Sequence, residues 1–138
     1  MEGCIFCKII KGEIPSFKVY EDERVYAFAD INPISDGHTL IIPKAHVENL
    51  WEISEHDIAA IHHASKKIAL AIKDVLGPVG IAVLQLNGKV VNQVVMHYHL
   101  HLIPRAEKGP TLKMTEWALI PGDMAKIKAI GEKIAAAV

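Results

Sequence analysis

The chain reads as an α+β domain built on a mostly antiparallel sheet of five strands. Three patterns predict this. Short β-branched or apolar runs bounded by turn residues occupy the stretch from Phe17 to Pro43. A sustained three-four periodicity runs from Ile58 to Val75. Imidazoles then alternate with apolar side chains from His97 to Ile103. Hairpin strands set around one long helix define the class.

Taken in order, Cys4 to Lys11 reads as a short turn or one helical turn ended by Gly12, and Phe17–Glu21 and Val25–Ala29 as a hairpin about the charged turn Asp22-Glu23-Arg24. Asn32-Pro33 and Asp36-Gly37 mark a long turn, and Thr39–Pro43 a buried third strand. Ser54 followed by Asp57 resembles a capping box. The helix it opens carries Ile58, Ile61, Ser65, Ile68, Ile72 and Val75 on one face and stops at Gly77-Pro78. Ile81–Asn87 is a fourth strand, and a loop from Gly88 to Val94 leads into the histidine strand. A last helix is expected from Asp123, burying Met124, Ile127, Ile130 and Ile134.

With 138 residues, 51% of them hydrophobic, and a formal charge of −1, the chain is expected to form a single domain (1–138, core about 4–105, tail and helix 106–138). Nothing in the charge distribution suggests a nucleic-acid surface, an acidic tail or disorder. The longest apolar runs are too short to cross a bilayer. Met1-Glu2-Gly3-Cys4 lacks the charged and apolar regions of a signal peptide, so a cytoplasmic location without membrane partners is expected.

The histidine row carries the chemistry. On a strand His97, His99 and His101 project from one face, neighbours roughly 6.6 Å apart at Cα, while Tyr98, Leu100 and Leu102 pack behind. One metal ion can take two neighbours but not all three. A row of this kind also suits an extended phosphate ligand, since neutral imidazole is a good nucleophile toward phosphorus and a hydrogen-bond partner for its oxygens. Spacing alone leaves phosphate chemistry and metal binding equally open. Cys4 and Cys7 pose a parallel choice. A redox pair lacks the usual preceding strand, a disulfide is out of place in a cytosolic chain, and zinc needs two further ligands.

His97 to Ile103, followed by Pro104-Arg105, resembles the signature of the histidine triad (HIT) proteins. So do Cys4-Ile5-Phe6-Cys7-Lys8-Ile9-Ile10, Phe28-Ala29-Asp30-Ile31-Asn32-Pro33 and Gly37 to His46, in the family's order. The likeness is to the Hit and Hint-like branch and implies the HIT fold. It implies that His99 is the nucleophile, forming a covalent nucleotidyl-histidine at the α-phosphate of a purine nucleotide conjugate, with His101 and His38 supporting the phosphate. The conjugate would be a phosphoramidate or a dinucleoside polyphosphate. By the same resemblance Asp30 holds the ribose, and Phe6, Ile9, Ile31 and Leu40 line the base slot. Asn87, Gln93 and Val94 lie on the phosphate side, and Cys4, Cys7, His46 and His97 hold a structural zinc ion. A homodimer is also implied. The alternative is a dimeric nucleotide-binding module with little or no turnover.

Two departures from the family pattern stand out. Asn92 replaces the usual glycine, and Asn tolerates a left-handed backbone. Val94 replaces the Ser or Thr whose hydroxyl assists the leaving group, which leaves rate and leaving-group preference open. His56, His62, His63, Lys66, Lys67 and Lys73 read as a solvated helical face, and Arg105 as a rim residue or an anion guide. Trp117 either closes over a ligand or meets a second protomer.

Overall fold

The computed structural model describes residues 2–108 and 121–137. Strands β1 (Lys18–Glu21), β2 (Val25–Ala29), β3 (Thr39–Pro43), β4 (Gly80–Gln85) and β5 (Leu100–Arg105) form one sheet in the order β1-β2-β3-β5-β4. Every neighbouring pair is antiparallel. Helix α1 (Ile5–Ile10) covers one face, α2 (Glu55–Leu76) the other, and α3 (Met124–Ala137) follows at the C-terminus. The expected α+β class and five-stranded antiparallel sheet are what the structure contains.

The period of two sorts the central strands into two cores. Val25, Ala27, Ile41, Leu100 and Leu102 face α2 and pack on Ile61, Ala64, Ile68 and Ile72. Tyr26, Phe28, Leu40 and Ile42 point the other way and meet Cys4, Phe6, Cys7 and Ile9 of the α1 segment. Burying each large aliphatic chain contributes roughly 1.5–3 kcal/mol, so the sheet is held from both sides.

Helix α2 begins where its sequence says it should. Ser54 Oγ accepts the Asp57 N–H at 3.1 Å, but Asp57 does not complete the box. Its carboxylate accepts from Arg24 Nη1 at 3.0 Å instead, pinning the β1–β2 turn to the helix. Gly77 closes the helix in the left-handed conformation. Gly37 needs its glycine twice over. Its φ is +85°, and a Cβ there would come within 2.6 Å of Leu76 Cδ1.

Several expectations need correction. The buried helical stripe ends at Ile72, and Val75 is 78% exposed. The fourth strand stops at Gln85 rather than Asn87, and the first begins at Lys18 rather than Phe17. Met124 is 75% exposed rather than buried, although Asp123 does cap α3 by accepting the Lys126 N–H. The side chains of Ile127, Ile130 and Ile134, and Trp117 altogether, lie outside the described residues.

Candidate functional site

Only His101 of the histidine row sits in the ladder, because β5 starts at Leu100. His97 and His99 precede it, where β4 has ended and Tyr98 N–H donates to Val47 O at 2.7 Å. The alternation survives outside the ladder. Tyr98 enters the α2-side core, while His97 and His99 turn toward Phe6, with ring centroids 5.8 and 5.3 Å away. The histidine face is itself a second buried layer, with His97 0% and His99 5% exposed. Helix α1 is the reason, since it lies over these rings.

At one end of the row, Cys4, Cys7, His46 and His97 bring four ligand atoms within 4.8 Å of one another. Cys4 Sγ lies 3.4 Å and Cys7 Sγ 3.6 Å from His97 Nδ1, and Cys7 Sγ lies 3.3 Å from His46 Nδ1. Zn–S bonds of about 2.3 Å and Zn–N bonds of about 2.0–2.1 Å on a tetrahedron separate ligand atoms by roughly 3.3–3.8 Å, so the set fits. The tautomer fits as well. His97 Nε2–H donates to Pro43 O at 2.8 Å, which turns the Nδ1 lone pair to the thiols. Burial holds the His97 pKa down at about 4, so the ring is neutral, and pushes the Cys4 thiol up. His46 Nε2 is buried without a hydrogen-bond partner, leaving Nδ1 as that ring's working atom.

At the other end Asp30, His38 and His101 also converge, but their protons are arranged differently. The Ile34 N–H donates to His38 Nδ1 at 3.0 Å, so that nitrogen is an acceptor. Neutral His38 therefore carries its proton on Nε2, 2.9 Å from His101 Nδ1 and 3.4 Å from Asp30 Oδ2. His101 Nδ1 accepts, which leaves Nε2–H as its outward donor. A protonated His38 Nε2 cannot ligate a metal, so this cluster is a hydrogen-bond chain. Burial lowers the pKa of His38 and takes that of His101 to about 4, keeping both neutral near pH 7.

Between them, His99 Nδ1–H donates to His97 O at 2.7 Å, and burial lowers its pKa too. Its Nε2 is consequently a bare lone pair, on a ring 5.0 Å from that of His101. Both rings line a cavity of about 350 Å³ that runs under α1. Phe6, Ile9, Ile31, Leu40 and Val94 line the same cavity, with Asp30 beside the histidines. An apolar slot ending in a carboxylate and two imidazoles suits a ligand with a flat apolar part and a polar, phosphorylated one.

Three expected residues, Asn87, Gln93 and His38, stay outside the cavity lining. Asn87 Oδ1 accepts the Leu50 N–H at 2.7 Å, and its amide pairs with that of Gln85. Gln93 is buried as a brace for the loop, accepting from Gly88 N and donating to Glu48 O and Val95 O. Asn92 does take the left-handed conformation, at φ 70°. His38 lies behind His101 rather than on the cavity. Ile14, Phe28 and Val95 join the lining without having been singled out. Phe28 was within reach of the period-two rule, since it shares the face of Tyr26 and opposes Ala27.

Fold and site together define an α+β domain that sets two histidines of the row against a largely apolar cavity of about 350 Å³. The HIT domain model matches residues 11–108. The chain is 54% identical over 108 residues to Protein hit of Bacillus subtilis, covering 78% of this chain and 74% of that protein. It is 42% identical over 132 residues to the adenosine 5′-monophosphoramidase of Schizosaccharomyces pombe, covering 96% of each. A crystal structure of a Streptococcus mutans protein superposes with a TM-score of 0.92 at 36% identity, over 99% of this chain and 86% of that one. The chain belongs to the HIT domain family.

Proposed function

We propose that this protein hydrolyses purine nucleotide conjugates at the α-phosphate, through a covalent intermediate on His99. The observation that carries the reading is the tautomer of His99. Its Nδ1–H is committed to the His97 carbonyl, so Nε2 is a neutral nucleophile at the polar end of the cavity. His101 Nε2–H beside it hydrogen-bonds the phosphate oxygens as charge builds on them. Asp30 accepts from the ribose hydroxyls, and Phe6, Ile9, Ile31 and Leu40 hold the base. The likeness to a yeast adenosine 5′-monophosphoramidase supports a nucleotide substrate.

Zinc at Cys4, Cys7, His46 and His97 would be structural, since four protein ligands close the coordination sphere. It ties the α1 segment to the strand ends beside the cavity. Two copies would pair through the open β4 edge and α2, where Leu70, Val79 and Val83 are exposed. No helix among the described residues is long and apolar enough to cross a membrane. A cytoplasmic location is part of the same reading.

Intact-mass analysis of a rapidly quenched reaction tests the proposal. Wild type should carry one added nucleotidyl group, and His99→Ala none. Saturable AMP binding without turnover of adenosine phosphoramidate or diadenosine tetraphosphate would leave only a nucleotide-binding module.

A further inference from the structure

Ser16 is a polar group on the cavity wall that the histidine chemistry does not use. It stands just before β1, and the sheet order puts β2 and β3 between it and the strand of His99 and His101. Strands about 4.8 Å apart place it roughly 14 Å across the sheet from that strand, at the opposite end of the slot. With a phosphate on the histidines, this is the end that a base reaches. The position is held from both sides. The Ile14 N–H donates to Lys8 O at 3.4 Å, Pro15 fixes its own φ, and Phe17 O accepts the Ala29 N–H at 2.9 Å.

Behind Ser16 stands Tyr26, whose hydroxyl lies 2.8 Å from Ser16 Oγ. Tyr26 is 8% exposed and does not line the cavity. Among the described residues its hydroxyl has no other hydrogen-bond partner. A buried hydroxyl proton needs an acceptor, and a phenolic O–H is a stronger donor than an aliphatic one, so Tyr26 donates and Ser16 accepts. The pair owns two protons and the bond between them consumes one. The second belongs to Ser16, which is left as a donor on the wall. Asn32 and Asn92, the other neutral polar side chains of the lining, are exposed to solvent.

We infer that the Ser16 hydroxyl, oriented by Tyr26, donates a hydrogen bond to an acceptor atom on the edge of the bound base and so helps set which bases the slot takes. This rests on the reading of the cavity as a nucleotide site. Phe6, Ile9, Ile31 and Leu40 sense only a flat apolar ring. Ser16 requires a lone pair. A base that turns an N–H toward it sets donor against donor in an apolar slot, which costs more than a missing contact. Ser16 is then a specificity residue, and Tyr26 a positioning residue that acts through it.

The test is calorimetric affinity for AMP and for its 1-deaza, 3-deaza and 7-deaza analogues. N1, N3 and N7 are the acceptors of adenine, so the hydrogen bond must run to one of them. In wild type one analogue should bind about fivefold more weakly than AMP, the worth of one neutral hydrogen bond, and the other two within about twofold. Ser16→Ala should weaken AMP by the same factor and erase that analogue's penalty, because both changes delete one bond. Tyr26→Phe should shrink the same penalty and leave the other two analogues alone. If wild type binds all three like AMP, or the penalty survives in Ser16→Ala, the inference is overturned. A penalty unchanged in Tyr26→Phe overturns the part given to Tyr26. Ribose 5-phosphate separates these failures from that of the underlying reading. If it binds as tightly as AMP, the slot holds no base and the nucleotide reading itself fails. If AMP binds at least about tenfold more tightly while no analogue stands out, the base slot survives and Ser16 serves only to satisfy Tyr26.

Discussion

The two ends of the histidine row hold similar side chains in opposite protonation patterns. At the His97 end a backbone carbonyl, that of Pro43, takes the Nε2 proton and aims a lone pair at two thiols. At the His101 end a backbone N–H, that of Ile34, blocks a lone pair on His38 and pushes its proton toward His101. Both ends gather three or more potential ligands within metal-binding distance, so composition does not separate them. The backbone partner does. An acceptor behind the ring makes a ligand, whereas a donor behind it makes a donor in front.

The sharpest way to break the comparison is at its midpoint. His99→Ala should cost at least about 10³-fold in kcat while leaving AMP affinity within roughly tenfold, as expected for a nucleophile rather than a binding residue. Equal losses in both, measured by steady-state kinetics and calorimetry, would move His99 out of the reaction.

Cys7→Ser attacks the ligand end, and there the expected loss is of stability. Chelation or this substitution should lower thermal stability by several kcal/mol, with AMP-binding stoichiometry preserved in whatever fraction stays folded. Metal analysis of purified wild type should find about one zinc per chain, and a metal-free preparation of undiminished stability would refute the assignment.

Acid probes the donor end. His38 and His101 bind protons less readily in the folded chain than in the unfolded one. The unfolded state therefore holds more protons below about pH 6.5, and stability should fall as pH drops from there toward 4, where folded His101 takes its proton. With the opposing charge of Asp30 already included, the His101 shift alone should cost on the order of 3 kcal/mol across this window. Denaturant midpoints across this window should flatten in His101→Gln, and an unchanged slope would assign the effect elsewhere. Asp30→Asn is the smallest expected effect. It should raise KM about fivefold, one weakened hydroxyl contact, with little change in kcat. A kcat loss exceeding the KM change would place Asp30 in the proton chain rather than on the sugar.

Much of this was legible before any coordinates. The period of two in His97 to Leu102 gave the two faces, and Ser54, Gly77 and the isoleucines gave α2 its ends and its buried stripe. What escaped depended on partners distant in sequence. The burial of His97 and His99 follows from α1 folding over them, some ninety residues away in the chain. Asn87 went to Gln85 and Leu50 because β4 ends two residues early and brings the two amides together. Met124 sits on a periodic helix, yet periodicity names a face and not what covers it. The tautomers were beyond reach, since they hang on the carbonyls of Pro43 and His97 and the amide of Ile34.

That last amide has a consequence for anyone mapping this site by mutation. Ile34 contributes through its main chain, which an alanine scan leaves untouched. A library covering every side chain around the cavity would score position 34 as dispensable, and only proline, which has no N–H, would expose its part. The orientation of His38 is thus heritable without being encoded in any one side chain, and drift at position 34 can proceed while the chemistry it supports stays fixed.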